Sequence, residues 1–148
     1  MLCNPILGVI AGAVLTAVLQ SSSASIGILQ ALSVTGTITY TSAIPIIMGL
    51  NIGTCITALI SSVGTNKNAR RTAAIHLYFN LIGTAVFLLL FYSLDFLLQF
   101  SFADQAVTAV GIAAVHTIFN LFAAALLLPF HRTLERLAVL TIPDDREP

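Results

Sequence analysis

The chain has 148 residues, of which 57% are hydrophobic and 8% charged, and its formal net charge is zero. Soluble domains carry roughly 25% charged residues, and a folded domain of about 150 residues still exposes roughly 30% of its unfolded surface. An ordinary water-soluble domain is therefore excluded, and the neutral balance removes the electrostatic basis for binding nucleic acid.

No Lys, Arg, Asp or Glu occurs from Met1 to Asn66. Lipid is the solvent that makes such a stretch sensible. The first residues lack a basic region and Asn4-Pro5 interrupts the start, so no signal peptide is expected. Cys3 and Cys55 are the two cysteines. Their placement supports neither a disulfide framework nor a metal site.

The first hydrophobic region runs from Asn4 to Ser33. As one helix it would be about 45 Å long, too long for a hydrocarbon core of about 30 Å; two crossings would need roughly 40 residues. A re-entrant hairpin fits: one arm to Leu19, an uncharged polar turn at Gln20–Ser23, and a second arm from Ala24 to about Leu32. Irregular backbone at membrane depth is tolerated only where protein or a water-filled cavity surrounds it. The tip is therefore expected to be buried in protein and to face a polar cavity.

The second region spans Ile44–Val63, with Pro45 suited to a first helical turn. Gly49 and Gly53 flank Asn51, and each glycine weakens a helix by about 1 kcal/mol relative to alanine. This predicts a broken helix, unwound near Asn51, with a new helical start near Gly53. Small residues packing tightly against another helix are the competing explanation.

The third and fourth regions, Thr72–Leu94 and Ala106–Leu128, read as ordinary spans. They share a weak echo, His76-Leu77-Tyr78-Phe79-Asn80 and His116-Thr117-Ile118-Phe119-Asn120, with His and Asn four apart on one helix face. Adjacent antiparallel helices would bring the two amides to similar depth. An interhelical hydrogen bond is the favoured reading, and a proton relay through the histidines is the other.

Lys67, Arg70 and Arg71 place the loop between the second and third regions in the cytoplasm. The loop with Asp95 and Asp104 then lies outside, and Arg132 and Arg136 lie inside. Both basic clusters agree. The Thr-rich stretch Thr35–Thr41 is external, and the hairpin enters from that side. Residues 1–130 are thus a transmembrane unit and 131–148 a cytoplasmic tail.

Hydroxyl and amide oxygens suit a hard cation such as sodium; hydroxyl and amide hydrogens suit an oxyanion. A helix starting near Ala24 turns about half a positive charge toward the tip, and the arm ending at Leu19 presents carbonyls. Broken helices meeting near the midplane are the logic of secondary-transporter sites. With no Lys or Arg present, a bound anion would be balanced by dipoles and co-bound cations. Catalysis is disfavoured, since no Gly-x-Ser-x-Gly elbow occurs and no acid lies at membrane depth.

The segments QSSSAS (Gln20–Ser25), GLNIGTCITAL (Gly49–Leu59) and HLYFNLIGT (His76–Thr84) resemble the bacterial sodium-dependent phosphate cotransporter family, related to the type II animal transporters. The resemblance extends over nearly the whole chain. It implies an all-α membrane transporter of two inverted repeats, each with a QSSS hairpin and a broken helix, binding phosphate and sodium between them. By motif match, Gln20, Ser21, Ser22 and Ser23 are carried over as substrate- and sodium-binding residues, with Asn51 and Thr54 beside them. No cofactor is implied beyond sodium as coupling ion. This chain carries one QSSS motif and so resembles the second repeat alone. A first repeat in the same or another chain is expected, as is a PhoU-like regulatory domain. The alternative function is a non-transporting scaffold or sensor that docks a cytoplasmic phosphate regulator.

Overall fold

The computed structural model describes residues 4–143; Cys3 lies outside the described residues. Six α-helices follow one another: α1 Pro5–Leu19, α2 Ser22–Ser33, α3 Tyr40–Ser61, α4 Lys67–Leu98, α5 Ala109–Leu127 and α6 His131–Thr141, with a 3₁₀ turn at Leu128–Phe130. The described residues contain no strand beyond an isolated Thr39–Ala106 bridge. Among the described residues three helical stretches are long and apolar enough to cross a membrane, and the exposed residues include large apolar side chains such as Val18, Leu89 and Val110. This is a multi-pass membrane protein.

The hairpin forms as expected. Asn4 caps α1, accepting from the Ile6 amide at 3.0 Å, and Pro5 occupies the first turn, where its missing N–H costs nothing. At about 1.5 Å per residue, α1 reaches roughly 22 Å and α2 roughly 18 Å, short of the roughly 30 Å core. The irregular backbone is shorter than predicted: α2 already begins at Ser22.

The predicted break in the second region is absent. α3 runs unbroken from Tyr40 to Ser61, so no second helical start exists near Gly53. Tight packing explains the glycines. A Cβ on Gly49 would lie 2.1 Å from the Val9 carbonyl oxygen, one on Gly12 would lie 2.1 Å from the Ile46 oxygen, and one on Gly53 would lie 2.6 Å from the Ala13 oxygen. Gly8, Gly12 and Thr16 thus meet Pro45, Gly49 and Gly53 in parallel register, a small-xxx-small contact that lets two backbones touch. Contact compensates for weak propensity.

Pro45 lies inside α3 rather than in its first turn. A proline there leaves the carbonyl four residues earlier without its donor. That carbonyl belongs to Thr41, and Tyr92 on α4 donates its hydroxyl to it at 3.0 Å. α3 forms the centre of the bundle: positions 42–51 are buried without interruption.

α4 is longer than its predicted span because Asn66 caps it, accepting from the Ala69 amide at 2.9 Å. α5 starts later than predicted. Residues 106–107 pair with 38–39 instead, the Val107 amide donating to Ile38 at 2.8 Å, and Thr108 caps the helix. The α2–α3 and α4–α5 connections therefore meet at one end. The predicted tail is helical: α6 turns back across the other end, where Arg71 donates twice to the Ile142 carbonyl, at 3.0 and 2.8 Å.

Candidate functional site

The hairpin tip is built by two helix ends. Gln20 adopts the left-handed region, φ 54°, and its amide donates to the Thr16 oxygen at 2.7 Å. Such a residue closes a helix and turns the chain sharply. Ser21 is extended and caps α2: its Oγ accepts from the Ala24 amide at 3.3 Å, and its carbonyl accepts from the Ser25 hydroxyl at 2.9 Å. Ser22 and Ser23 stand in the first turn, whose amides have no intrahelical acceptor. The last carbonyls of α1 are left open in the same way. Donors and acceptors thus emerge side by side within four residues.

The tip is not covered by the rest of the chain. Gln20, Ser21 and Ser23 are exposed and Ser22 is half-buried. Within this chain the described helices pack along the arms and leave the apex open, so the protein expected to bury the tip is not supplied by these helices.

The α1–α3 register, 8 against 45, 12 against 49 and 16 against 53, brings Gln20 level with Thr57 when continued by one turn. Thr54, Thr57 and Ser61 form a hydroxyl stripe there. Each donates back to its own helix, at 3.1, 2.7 and 2.9 Å, which leaves hydroxyl oxygens available as acceptors. Thr57 is thus the α3 hydroxyl at the level of the tip, with Thr54 about one turn behind it, and Thr57 was not singled out from sequence. Its signal was the three- and four-residue spacing with Thr54 and Ser61. Thr16, one turn before the tip, is buried, with no hydrogen-bond partner for its hydroxyl oxygen among the described residues.

Asn51 lies elsewhere. Two residues from Gly53, it points about 200° away from the face that meets α1. Its amide nitrogen donates to Ile47 at 3.3 Å, and its Oδ1 meets His116 Nε2 at 3.1 Å. Since Oδ1 can only accept, Nε2 carries the hydrogen. Gln20, Ser21, Ser22 and Ser23 are together in the turn between α1 and α2, Thr54 lies on the neighbouring α3 beside the Gly53 contact, and Asn51 turns into the bundle.

The predicted Asn80–Asn120 bond is replaced too. Asn80 donates to the His76 carbonyl at 3.0 Å and Asn120 to the His116 carbonyl at 2.7 Å, each within its own helix. The interhelical bond joins α5 to α3 through His116. His116→Phe and Asn51→Leu should therefore be non-additive, with a coupling of about 1 kcal/mol in a thermal-denaturation cycle in detergent. Simple additivity would mean that the bond does not hold α5 to α3.

The Na+/Pi-cotransporter family matches residues 1–115, from the hairpin into α5. The chain belongs to this family. It is 46% identical over 77 residues to the uncharacterized protein YqeW of Bacillus subtilis, covering 52% of this chain and 25% of that one. It is 39% identical over 94 residues to the human sodium-dependent phosphate transport protein 2B, covering 60% of this chain and 14% of that one. The rat sodium-dependent phosphate transport protein 2A is 38% identical over 94 residues, covering 60% of this chain and 15% of that one. The matched segments span a quarter or less of these relatives' lengths. No solved structure matches the chain. The family is one of transport proteins, and its matched region contains both the hairpin and the α3 stripe.

Proposed function

We propose that this chain is one half of a sodium-coupled importer of inorganic phosphate in the cell membrane. The observation that carries the reading is the open tip, where the start of α2 and the end of α1 emerge together, unscreened by side-chain charge. The α2 start, with Ser21, Ser22 and Ser23, receives the phosphate oxygens. The α1 carbonyls, the Gln20 side-chain oxygen and the Thr54 hydroxyl receive sodium, a hard cation that takes oxygen ligands. A bound anion is then stable only with its cations, which couples the two fluxes. Asn51 supports the site from behind by tying α3 to α5.

The other half is a first repeat, in the same or another polypeptide, whose own tip faces this one and covers it. The end bearing Lys67, Arg70, Arg71 and α6 is cytoplasmic by its charge, and a PhoU-like domain would meet the transporter there. The sodium gradient drives import, with no covalent step.

The full polypeptide, expressed in cells lacking phosphate uptake, should accumulate phosphate in sodium medium and lose most of that uptake when choline replaces sodium. Equal uptake in both media overturns the coupling. Membrane insertion and regulator capture without uptake would support a scaffold instead.

A further inference from the structure

We propose that α6 is an interfacial helix that binds anionic phospholipid headgroups through Arg132 and Arg136, with Leu137 and Leu140 seated at the acyl boundary. The proposal concerns residues beyond those the family match covers and does not depend on what is transported.

The faces of α6 carry the argument. Leu134 and Ala138 are buried, with Ala138 lining a groove against α4. Around the helix at about 100° per residue, Leu137 and Leu140 fall on one flank, and Leu140 is 79% exposed. Arg132 and Arg136 fall on the back, with Arg136 about 40° and Arg132 about 80° from Leu140, on a surface that Glu135 and Val139 also border. Glu135 falls on the opposite flank, where it lines the groove with Asn68, Arg71 and Thr72. An apolar flank bordered by arginines is the pattern of a helix lying in the membrane plane, its cations at headgroup depth. Leu128 and Phe130, at the α5–α6 turn, are also exposed.

Charge selects the lipid. Lys67, Arg70, Arg71, Arg132 and Arg136 are the only Lys or Arg among the described residues, and all lie at this end, whereas Asp95 and Asp104 lie at the other. Attachment is short-ranged: the Arg71 bonds to Ile142 and the Tyr78–Thr141 hydroxyl contact hold α6 against the first turns of α4.

The test is amide hydrogen exchange over residues 131–141 of the full polypeptide in lipid nanodiscs, zwitterionic against about 30% anionic lipid. Each arginine at an anionic surface is worth about fivefold in partitioning, so exchange should slow by at least about fivefold in the anionic discs. Arg132→Gln with Arg136→Gln should abolish the difference, and Arg132→Lys with Arg136→Lys should keep it. Equal exchange in the two lipids overturns the proposal, as does a lipid effect that survives the glutamine pair. Protection that appears only on adding cytosolic protein also overturns it and assigns the surface to a protein.

Discussion

Gly49→Ala is expected to release the hairpin from α3. The new Cβ would stand 2.1 Å from the Val9 carbonyl oxygen and 2.8 Å from the Val9 carbonyl carbon. These are backbone atoms of a helix, and no rotamer change can move them. Overpacking against side chains typically costs 1–3 kcal/mol; against a fixed backbone the cost should reach at least about 3 kcal/mol. The alanine would gain only about 1 kcal/mol of helix propensity in return. Gly27→Ala is the control, because nothing lies within 4 Å of a Cβ there; it should be neutral or slightly stabilising. The measurement is thermal unfolding in detergent, with protease access to residues 4–33 as the local readout. A Gly49→Ala protein as stable as the parent would mean that α1 does not pack on α3 in this register.

The same glycines show where sequence reading succeeds and fails. The hairpin was legible because two lengths decided it: the rise of a helix and the thickness of a bilayer. Neither depends on tertiary partners. The break at Asn51 was not, because Gly49 and Gly53 send the same local signal whether they loosen a helix or admit a neighbour. Only the position of Val9 and Ala13 separates the two. Asn80 and Asn120 misled for a related reason: each amide could satisfy itself on the carbonyl four residues earlier, so neither needed the other. His116 reached across to Asn51 instead. The helical character of the tail lay in the spacing of Leu134, Leu137, Ala138 and Thr141, masked by a high charge density that reads as solvated chain. The openness of the tip had no local signal at all, since burial is decided by what the rest of the chain fails to cover.

Ser21→Asp separates the structural and functional meanings of the tip. Ser21 caps α2 through its hydroxyl oxygen, and an aspartate caps as well as a serine does. Its negative charge also suits the helix start. The fold should therefore be as stable as the parent, or more stable by a few tenths of a kcal/mol. The same carboxylate would stand where the proposed function seats phosphate. Two unit charges about 4 Å apart at an effective dielectric of about 20 repel by about 4 kcal/mol. Phosphate uptake should accordingly fall by at least about 100-fold, with expression and thermal stability unchanged. Ser21→Ala should behave in the opposite way. It removes the cap, costing about 1 kcal/mol of stability, but leaves the amides of the first turn free to meet an anion, so part of the uptake survives. A tip that serves only to turn the chain would rank the two variants by stability, with aspartate the more active. An anion-binding tip reverses that order. Full uptake by a stable Ser21→Asp protein would remove phosphate from the start of α2 and leave the tip as a cation site alone.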